Sequence, residues 1–264
     1  MLAFLVPIKS PQVATSWSDV CRLFERCVRS LCRQTSPEFR VLVVCNQVPQ
    51  IGFSHPHIRY LTVDFPVPQR DYDSKIVDKE RKLIAGLIEL REMQPSHVMQ
   101  VDADDCVSRR LAEHVERNRD KHGWFFETGY EYEDGSKKIL YRRKRFYGIC
   151  GTSNVIAHRL FTLPDKLPPY EKILEYDRFV GGHAVARPDL AERGTPLEQL
   201  PFPGAVYVRD RIGESVSLQE KLGAKLHRHP REAFRRLKKR LLAPLVQQQL
   251  TQELKEEYGI YSLD

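Results

Sequence analysis

The first hundred residues alternate between short apolar segments and amphipathic segments, and this alternation restricts the fold more than any other feature of the chain. The apolar segments predict strands at Phe4–Ile8, Phe39–Asn46, His57–Val63 and His97–Val101. Apolar residues recur every three or four positions in Asp19–Arg33 and Lys75–Glu92, which predicts helices there. Strands that are apolar throughout and separated by helices indicate an α/β protein with a mainly parallel sheet covered on both faces.

Composition is consistent with a folded domain. The chain has 264 residues, 41 % of them apolar, which is enough for a hydrophobic core. The N-terminal MLAFLVPIK has no basic leader before its apolar run, so we interpret it as a buried strand and not as a signal peptide. No segment approaches the roughly 20 apolar residues of a membrane-spanning helix. We therefore expect a cytoplasmic protein.

Cysteine and charge patterns exclude two other classes of site. The six cysteines have no CxxC or Cys/His spacing, so we predict small buried side chains and not a structural zinc site. Nine lysines and arginines stand against one glutamate between residues 221 and 240, and this segment accounts for the net charge of +7. Because the excess is confined to the tail, we expect no nucleic acid as partner. A nucleic-acid-binding module acting through that tail is the alternative, and its binding would collapse with salt.

The second half of the chain is less regular. An Asp134-Gly135 turn between two β-rich runs predicts a hairpin. A helix is predicted from Tyr170 to about Arg193, followed by a strand at Ala205–Arg209. Residues 221–264 are predicted to be a basic helical extension after a domain of residues 1–220. Its apolar stripe either packs on that domain or lies on a membrane surface through residues 230–245.

Three carboxylates follow the fourth strand within four residues: Asp102, Asp104 and Asp105. Parallel sheets bind ligands at the carboxyl ends of their strands, and clustered carboxylates repel unless a cation compensates them. If the segment is extended, Asp102 and Asp104 point the same way and suit Mg²⁺ or Mn²⁺. The alternative is structural: Asp105 or Ser108 would cap a helix starting at Arg109. The triplet Asp71-Tyr72-Asp73 has the same spacing but follows the Pro-rich VPVPQ, and we predict a loop there.

Five segments occur in a recognisable order: FLVPIKS, a helix ending in SLCRQT, FRVLVVCNQ, DKERKLIAGL and VMQVDADD. In this order they resemble the family-2-like, GT-A nucleotide-sugar glycosyltransferases, closely over residues 2–110 and loosely to about residue 220. The resemblance implies a GT-A, Rossmann-like fold with a nucleotide-sugar half (1–110) and an acceptor half (111–220). It also implies transfer of a hexose from a nucleotide-sugar donor to a hydroxyl of a carbohydrate or lipid-linked acceptor, with inversion, in polysaccharide or glycoconjugate synthesis.

The resemblance also implies roles for individual residues. Asp104, together with Asp102, would ligate Mn²⁺ or Mg²⁺, and Asp105 would be a helper. The donor would contact Pro7, Ile8, Asn46, Asp64, Lys79, Arg81, Lys82 and Asp102. In FYGICGTSNVIAHR, the acceptor would contact Gly151, Thr152, Ser153 and Asn154.

Two positions depart from the family pattern. The general base, an acidic residue in inverting members, corresponds here to His183, with Asp177 as the rival. The late histidine that completes the metal shell is replaced by Arg209, Asp210 and Arg211, so either Asp210 ligates the metal or Arg211 neutralises the diphosphate. A nucleotidyltransferase on the same fold is a further alternative, but it would need a Gly-rich loop after the first strand, and KSPQVATSW has no glycine.

Overall fold

The computed structural model describes residues 1–69, 71–169, 180, 182–209 and 245–263. Its helices are α1 (Trp17–Leu31), α2 (Tyr72–Met93), α3 (Leu111–Glu116), α4 (His183–Glu192) and α5 (Gln252–Tyr258), with short 3-10 turns at Pro11–Val13, Phe146–Gly148 and His158–Leu160. Its strands are β1 (Leu2–Pro7), β2 (Phe39–Cys45), β3 (Ile58–Thr62), β4 (His97–Gln100), β5 (Cys106–Val107), β6 (Gly123–Phe125), β7 (Gly129–Glu133), β8 (Lys138–Arg142), β9 (Asn154–Ala157), β10 (Glu198–Gln199), β11 (Ala205–Arg209) and β12 (Leu245–Gln249).

The larger sheet confirms the predicted α/β architecture. Its seven strands run in the order β10-β6-β9-β4-β1-β2-β3. β1 pairs in parallel with β2 and β4, and β2 pairs in parallel with β3. β9 is antiparallel to both β4 and β6. The carboxyl ends of β1 to β4 therefore meet at one edge of the sheet, the edge at which such sheets bind ligands.

Helices cover both faces of this sheet because side chains alternate along β1. Leu2, Phe4 and Val6 pack with Phe24 of α1 on one face. Ala3 and Leu5 pack on the other face, in the cluster that contains the apolar residues of α2. The continuous apolar run in β1 is thus buried on both sides, as its sequence predicts.

Within the described residues, a second sheet has five strands in the order β12-β8-β7-β11-β5. The predicted hairpin is confirmed: β7 and β8 pair antiparallel, and Gly135 in their turn has φ of 75°. The strand Ala205–Arg209 is also confirmed; it is β11 and lies parallel to β7.

The end of the chain differs from the predicted helical extension. Residues 210–244 lie outside the described part of the chain, and with them most of the basic segment. Residues 245–249 form a strand, β12, that pairs antiparallel with β8. Helix α5 follows, and its Tyr258 is buried with Tyr132 and Ile139. The last residues are therefore part of the second sheet and its core, because Tyr258 and Ile260 are buried by tertiary contacts that helical periodicity does not encode.

Asp71-Tyr72-Asp73, predicted as loop, is the start of helix α2. The Asp71 carboxylate accepts a hydrogen bond from the Ser74 backbone N–H at 2.9 Å. Asp73 lies in the first turn, where negative charge is favourable. The loop prediction is therefore wrong, because Asp71 caps the N-terminus of α2 and Asp73 lies in its first turn. A helix is also predicted from Tyr170 to about Arg193. Helix α4 covers the later part of that range, and residues 170–179 lie outside the described residues.

Side-chain burial agrees with the predicted role of the cysteines. Five of the six are buried and Cys32 is half-buried. Burial raises the pKa of the Cys32 thiol to about 12 and that of Cys45 to about 11, so both are protonated at neutral pH. Within the described residues, no helix is both long and apolar enough to cross a bilayer.

Candidate active site

The three carboxylates lie in a turn and not in an extended segment. β4 ends at Gln100, and the Asp105 backbone N–H donates to the Asp102 carbonyl at 3.0 Å. The expectation that the chain is extended from Asp102 to Asp104 is therefore wrong. Thr152 fixes the turn: its hydroxyl accepts from the Asp102 backbone N–H at 2.9 Å and donates to the Asp105 carboxylate at 2.6 Å.

Asp105 ties the turn to the second sheet. Its side chain is fully buried, and its carboxylate accepts from the Val208 N–H of β11 at 3.1 Å and from the Cys150 thiol at 3.3 Å. Burial, reinforced by the charges of Asp104 and Asp102, raises the pKa of Asp105 well above the usual carboxyl range. The helix-cap alternative does not apply to Asp105. It applies in part to Ser108, whose hydroxyl accepts from the Arg110 N–H at 3.2 Å just before α3.

Asp102 faces the partly open side of the turn and contacts Lys79 of α2. The Lys79 amine donates to Asp102 Oδ1, and each side chain is about one-third exposed, 31 % for Lys79 and 30 % for Asp102. Burial alone would lower the pKa of Lys79, but the charge of Asp102 and its hydrogen bond raise it. The two predicted donor-binding residues are thus adjacent, and both are charged.

Gly151 makes room for the other oxygen of Asp102. A Cβ atom at position 151 would lie 2.3 Å from Asp102 Oδ2, far inside van der Waals contact. The absence of a side chain at Gly151 therefore lets the carboxylate sit against the backbone of this loop. Gly151, predicted to contact the acceptor, directly adjoins the predicted metal ligand.

The chemistry of the donor set suits a hard divalent cation in part. Asp102 and Asp104 are both partly exposed carboxylates, whereas the oxygens of Asp105 are taken by Thr152, Cys150 and Val208. Among the residues that the structure describes, no three His, Cys, Asp or Glu side chains form a metal-binding group. Two carboxylates completed by substrate phosphates and water are a usual set for Mg²⁺, so the residues fit an incomplete protein shell.

The end of β1 is held by an interior ion pair. Lys82 is fully buried, and its amine donates to the Ile8 carbonyl at 2.9 Å and to Asp78 at 2.7 Å. Pro7 and Ile8, predicted to line the donor site, are buried with it. The structure thus places Lys82 beneath the edge of the sheet, in support of the β1 end and not at a solvent-facing surface.

The ends of β2 and β3 are joined by Asn46. Its side-chain amide donates to the carbonyls of Val63 and Phe65, both at 3.3 Å. Asp64 lies between these two acceptors and is exposed. The guanidinium of Arg81 lies 4.1 Å from the centre of the Phe65 ring. The predicted donor residues Asn46, Asp64 and Arg81 are thus gathered around one short segment after β3.

The predicted acceptor residues divide into two groups. Thr152 and Ser153 are fully buried, and the Ser153 hydroxyl donates to the Cys150 carbonyl at 2.7 Å, so both support the loop from inside. Asn154 reaches towards helix α4 and donates to the His183 carbonyl at 3.0 Å. Asn154 therefore contacts the backbone of His183, which is the first residue of α4. Asp177, Asp210 and Arg211 lie outside the described residues.

Glu80 is a titratable neighbour that the sequence patterns did not single out. Burial raises its pKa to about 7, although the charge of Lys79 acts in the opposite direction. Asp78 and Cys150 were also missed. Their contacts depend on tertiary packing, and only the i, i+4 spacing of Asp78 and Lys82 could have indicated one of them.

A cavity of about 680 Å³ lies elsewhere, between α1 and α5, and is lined by residues such as Arg29, Phe53 and Tyr261. None of the predicted site residues that the structure describes lines it. The candidate site is therefore defined by its charges and its place at the edge of the sheet and not by this cavity.

Comparison with known proteins gives limited similarity. No family model matches the sequence, and no curated protein matches it. Among solved structures, that of S. aureus TarS 1–349 in complex with UDP has a TM-score of 0.44 at 12 % identity, over 84 % of this chain and 62 % of that one. The structure of TarS 1–349 has a TM-score of 0.39 at 12 % identity, over 78 % and 60 %, respectively. A further TarS structure has a TM-score of 0.41 at 13 % identity, over 93 % and 40 %.

The chain thus spans between 40 % and 62 % of the length of these TarS structures. Because these TM-scores are below 0.5, the functional proposal rests on the site and on the sequence segments of this chain.

Proposed function

We propose that this protein is a glycosyltransferase that moves a sugar from a nucleotide-sugar donor to an acceptor hydroxyl. The observation that carries the proposal is the carboxylate turn at the carboxyl end of β4, with Lys79 bonded to Asp102 and Gly151 adjoining it. A diphosphate needs cations and a backbone that allows close approach, and a parallel sheet opens its ligand crevice at this edge. The resemblance of the five ordered sequence segments supports the same activity.

In the reaction, the acceptor oxygen attacks the anomeric carbon of the sugar, and the bond from that carbon to the diphosphate oxygen breaks. The nucleoside diphosphate leaves with the bonding electron pair, and a base removes the proton of the hydroxyl. Attack from the side opposite the diphosphate gives inversion. We assign the base to His183 or Asp177; the hydrogen bond from Asn154 to the His183 carbonyl joins the first residue of α4 to the predicted acceptor segment.

Asp102 and Asp104 would hold Mn²⁺ or Mg²⁺, which when bound supplies positive charge to the leaving diphosphate. Lys79 supplies further positive charge at the same place. Asp105, Thr152 and Val208 keep the turn in position through the hydrogen bonds that join them. A carbohydrate or lipid-linked acceptor would approach from the side of Asn154 and α4. We place the protein in the cytoplasm, with membrane contact through residues 230–245 for a lipid-linked acceptor.

The proposal is tested by adding UDP-, GDP-, TDP- and CMP-sugars to the full chain, with and without Mn²⁺, and measuring Tm and donor consumption. We expect one nucleotide class to raise the Tm and to be consumed. Asp104→Asn should reduce consumption at least about 100-fold, because removing electrostatic stabilisation of a leaving group costs this order.

Asp73→Asn is the matched control, because Asp73 ends the other Asp-x-Asp triplet but belongs to the first turn of α2. It should keep most of the activity. If no nucleotide-sugar raises the Tm under either condition, the proposed function is wrong.

A further inference from the structure

Lys79 is bonded to the carboxylate of Asp102, at which a divalent cation would also bind. The Lys79 amine donates to Asp102 Oδ1, while Asp102 Oδ2 adjoins Gly151 so closely that a Cβ there would be 2.3 Å away. Oδ2 of Asp102 thus lies against the backbone of Gly151, and Oδ1 is bonded to the ammonium group of Lys79. Two cations on one carboxylate repel each other, more strongly near a protein than in bulk water. A metal at Asp102 is therefore disfavoured while Lys79 stays bonded to the same carboxylate.

We propose that Lys79 is an internal competitor for the metal site, which leaves Asp102 and binds the donor diphosphate instead, so that metal and diphosphate bind cooperatively. This inference rests on the proposed function. It adds that the coupling between metal binding and diphosphate binding is controlled by a residue of the chain and not by the metal shell alone.

Three features of Lys79 support this role. Its side chain is one-third exposed, so the amine can reach a ligand at the edge of the sheet. It stands on α2, one turn from the fully buried Lys82, which is held by Asp78 and the Ile8 carbonyl. Lys82 thus fixes this part of the helix, while Lys79 has a flexible chain that can exchange one anion for another.

The alternative partner of Lys79 is chemically stronger than Asp102. A diphosphate offers several anionic oxygens in place of one carboxylate oxygen, and charge-assisted hydrogen bonds to phosphate are among the strongest in proteins. When Lys79 binds the diphosphate, Asp102 loses its cation, and the repulsion among the clustered carboxylates then favours metal binding. Each ligand therefore increases the affinity for the other, as linkage requires.

The test uses Lys79→Met in the full chain and two isothermal titrations that need no activity. Mn²⁺ alone should bind Lys79→Met on the order of tenfold more tightly than the unmodified chain, because the competing ammonium is gone. Inorganic pyrophosphate in EDTA should bind it on the order of tenfold more weakly, because the diphosphate loses a contact. A purely structural role for Lys79 would move both affinities in the same direction.

Two controls make the result specific. In the Asp102→Asn background, Lys79→Met should no longer increase Mn²⁺ affinity, because the shared carboxylate is absent. Lys121→Met removes another ion-paired lysine, whose amine lies 2.8 Å from Glu198, and should change neither titration.

Three outcomes distinguish failure of the competition from failure of the proposed function. Unchanged or weaker Mn²⁺ binding by Lys79→Met overturns the competition. If nucleotide-sugars still raise the Tm of the unmodified chain, that result leaves the proposed function intact. If the unmodified chain binds no nucleotide-sugar and neither chain binds Mn²⁺ or pyrophosphate, the proposed function and the competition are both wrong.

Discussion

Gly151 determines at the residue scale where the Asp102 carboxylate can lie. The two residues are far apart in sequence, and the neighbouring Thr152 hydroxyl bonds the Asp102 backbone across 50 positions. The glycine is required here because of the close approach, since a methyl group would occupy the place of Asp102 Oδ2. Its predicted role in acceptor binding stays a prediction, while its contact with Asp102 is a feature of the structure.

Gly151→Ala should displace Asp102 and reduce Mn²⁺ affinity and donor consumption at least about tenfold, with a loss of about 1 to 3 kcal/mol in unfolding free energy. Gly148→Ala is the matched control, because no atom of the described residues lies within 4 Å of a Cβ at that position. Metal titration and denaturant unfolding of both variants give the comparison. Equal effects of the two substitutions would contradict the assigned role of Gly151.

At the scale of elements, a buried ion pair connects helix α1 to the hairpin of the second sheet. Arg26 of α1 donates to Asp134, at the end of β7, at 2.6 Å, and the two side chains are 0 % and 6 % exposed. Arg26 also donates to the Tyr261 carbonyl at 3.1 Å, so the C-terminal segment joins the same contact. Because the pair is shielded from water, breaking it should lower the unfolding free energy more than breaking a surface pair.

Asp134→Asn should leave the buried guanidinium uncompensated and lower the unfolding free energy by about 3 to 5 kcal/mol. Glu198→Gln breaks the surface pair with Lys121, in which the side chain of Glu198 is 54 % and that of Lys121 40 % exposed. The unfolding free energy should fall by about 1 kcal/mol or less. Urea unfolding of both variants tests the difference. A loss below about 1 kcal/mol for Asp134→Asn would show that the pair does not hold the two elements together.

At the scale of the whole molecule, the half-buried Glu80 and the buried His97 give the stability opposite dependences on pH. Burial raises the pKa of Glu80 to about 7, so its contribution to stability falls as the pH rises from about 4.5 to 7. Burial lowers the pKa of His97 to about 4, although its hydrogen bond to the Lys121 carbonyl acts the other way. The contribution of His97 is therefore lost as the pH falls from about 6.5 to 4.

Glu80→Gln should gain about 1 to 3 kcal/mol of unfolding free energy relative to the unmodified chain between pH 4.5 and pH 7. His97→Gln should gain a similar amount of unfolding free energy, relative to the unmodified chain, as the pH falls from about 6.5 to 4. Urea unfolding across this pH range measures both. Differences that do not vary with pH would show that neither group titrates as its burial requires.

The sequence by itself determined the α/β class, the order of the elements in the first hundred residues, and the position of the carboxylates after β4. These follow from burial patterns and from strand and helix periods, which are local and can be read from neighbouring residues. The hairpin at Asp134-Gly135 was predictable for the same reason, since the turn residues carry the signal themselves.

Only the tertiary structure decided how the site is assembled. The turn at Asp102 to Asp105, the ion pair between Lys79 and Asp102, and the position of Gly151 against Asp102 join residues from different elements. The strand β12 likewise depends on its pairing with β8, which a periodicity cannot reveal. The cap of α2, by contrast, is a local hydrogen bond between Asp71 and Ser74. The physical reason is that a period specifies which face of an element is buried, whereas a site depends on which elements the fold brings together.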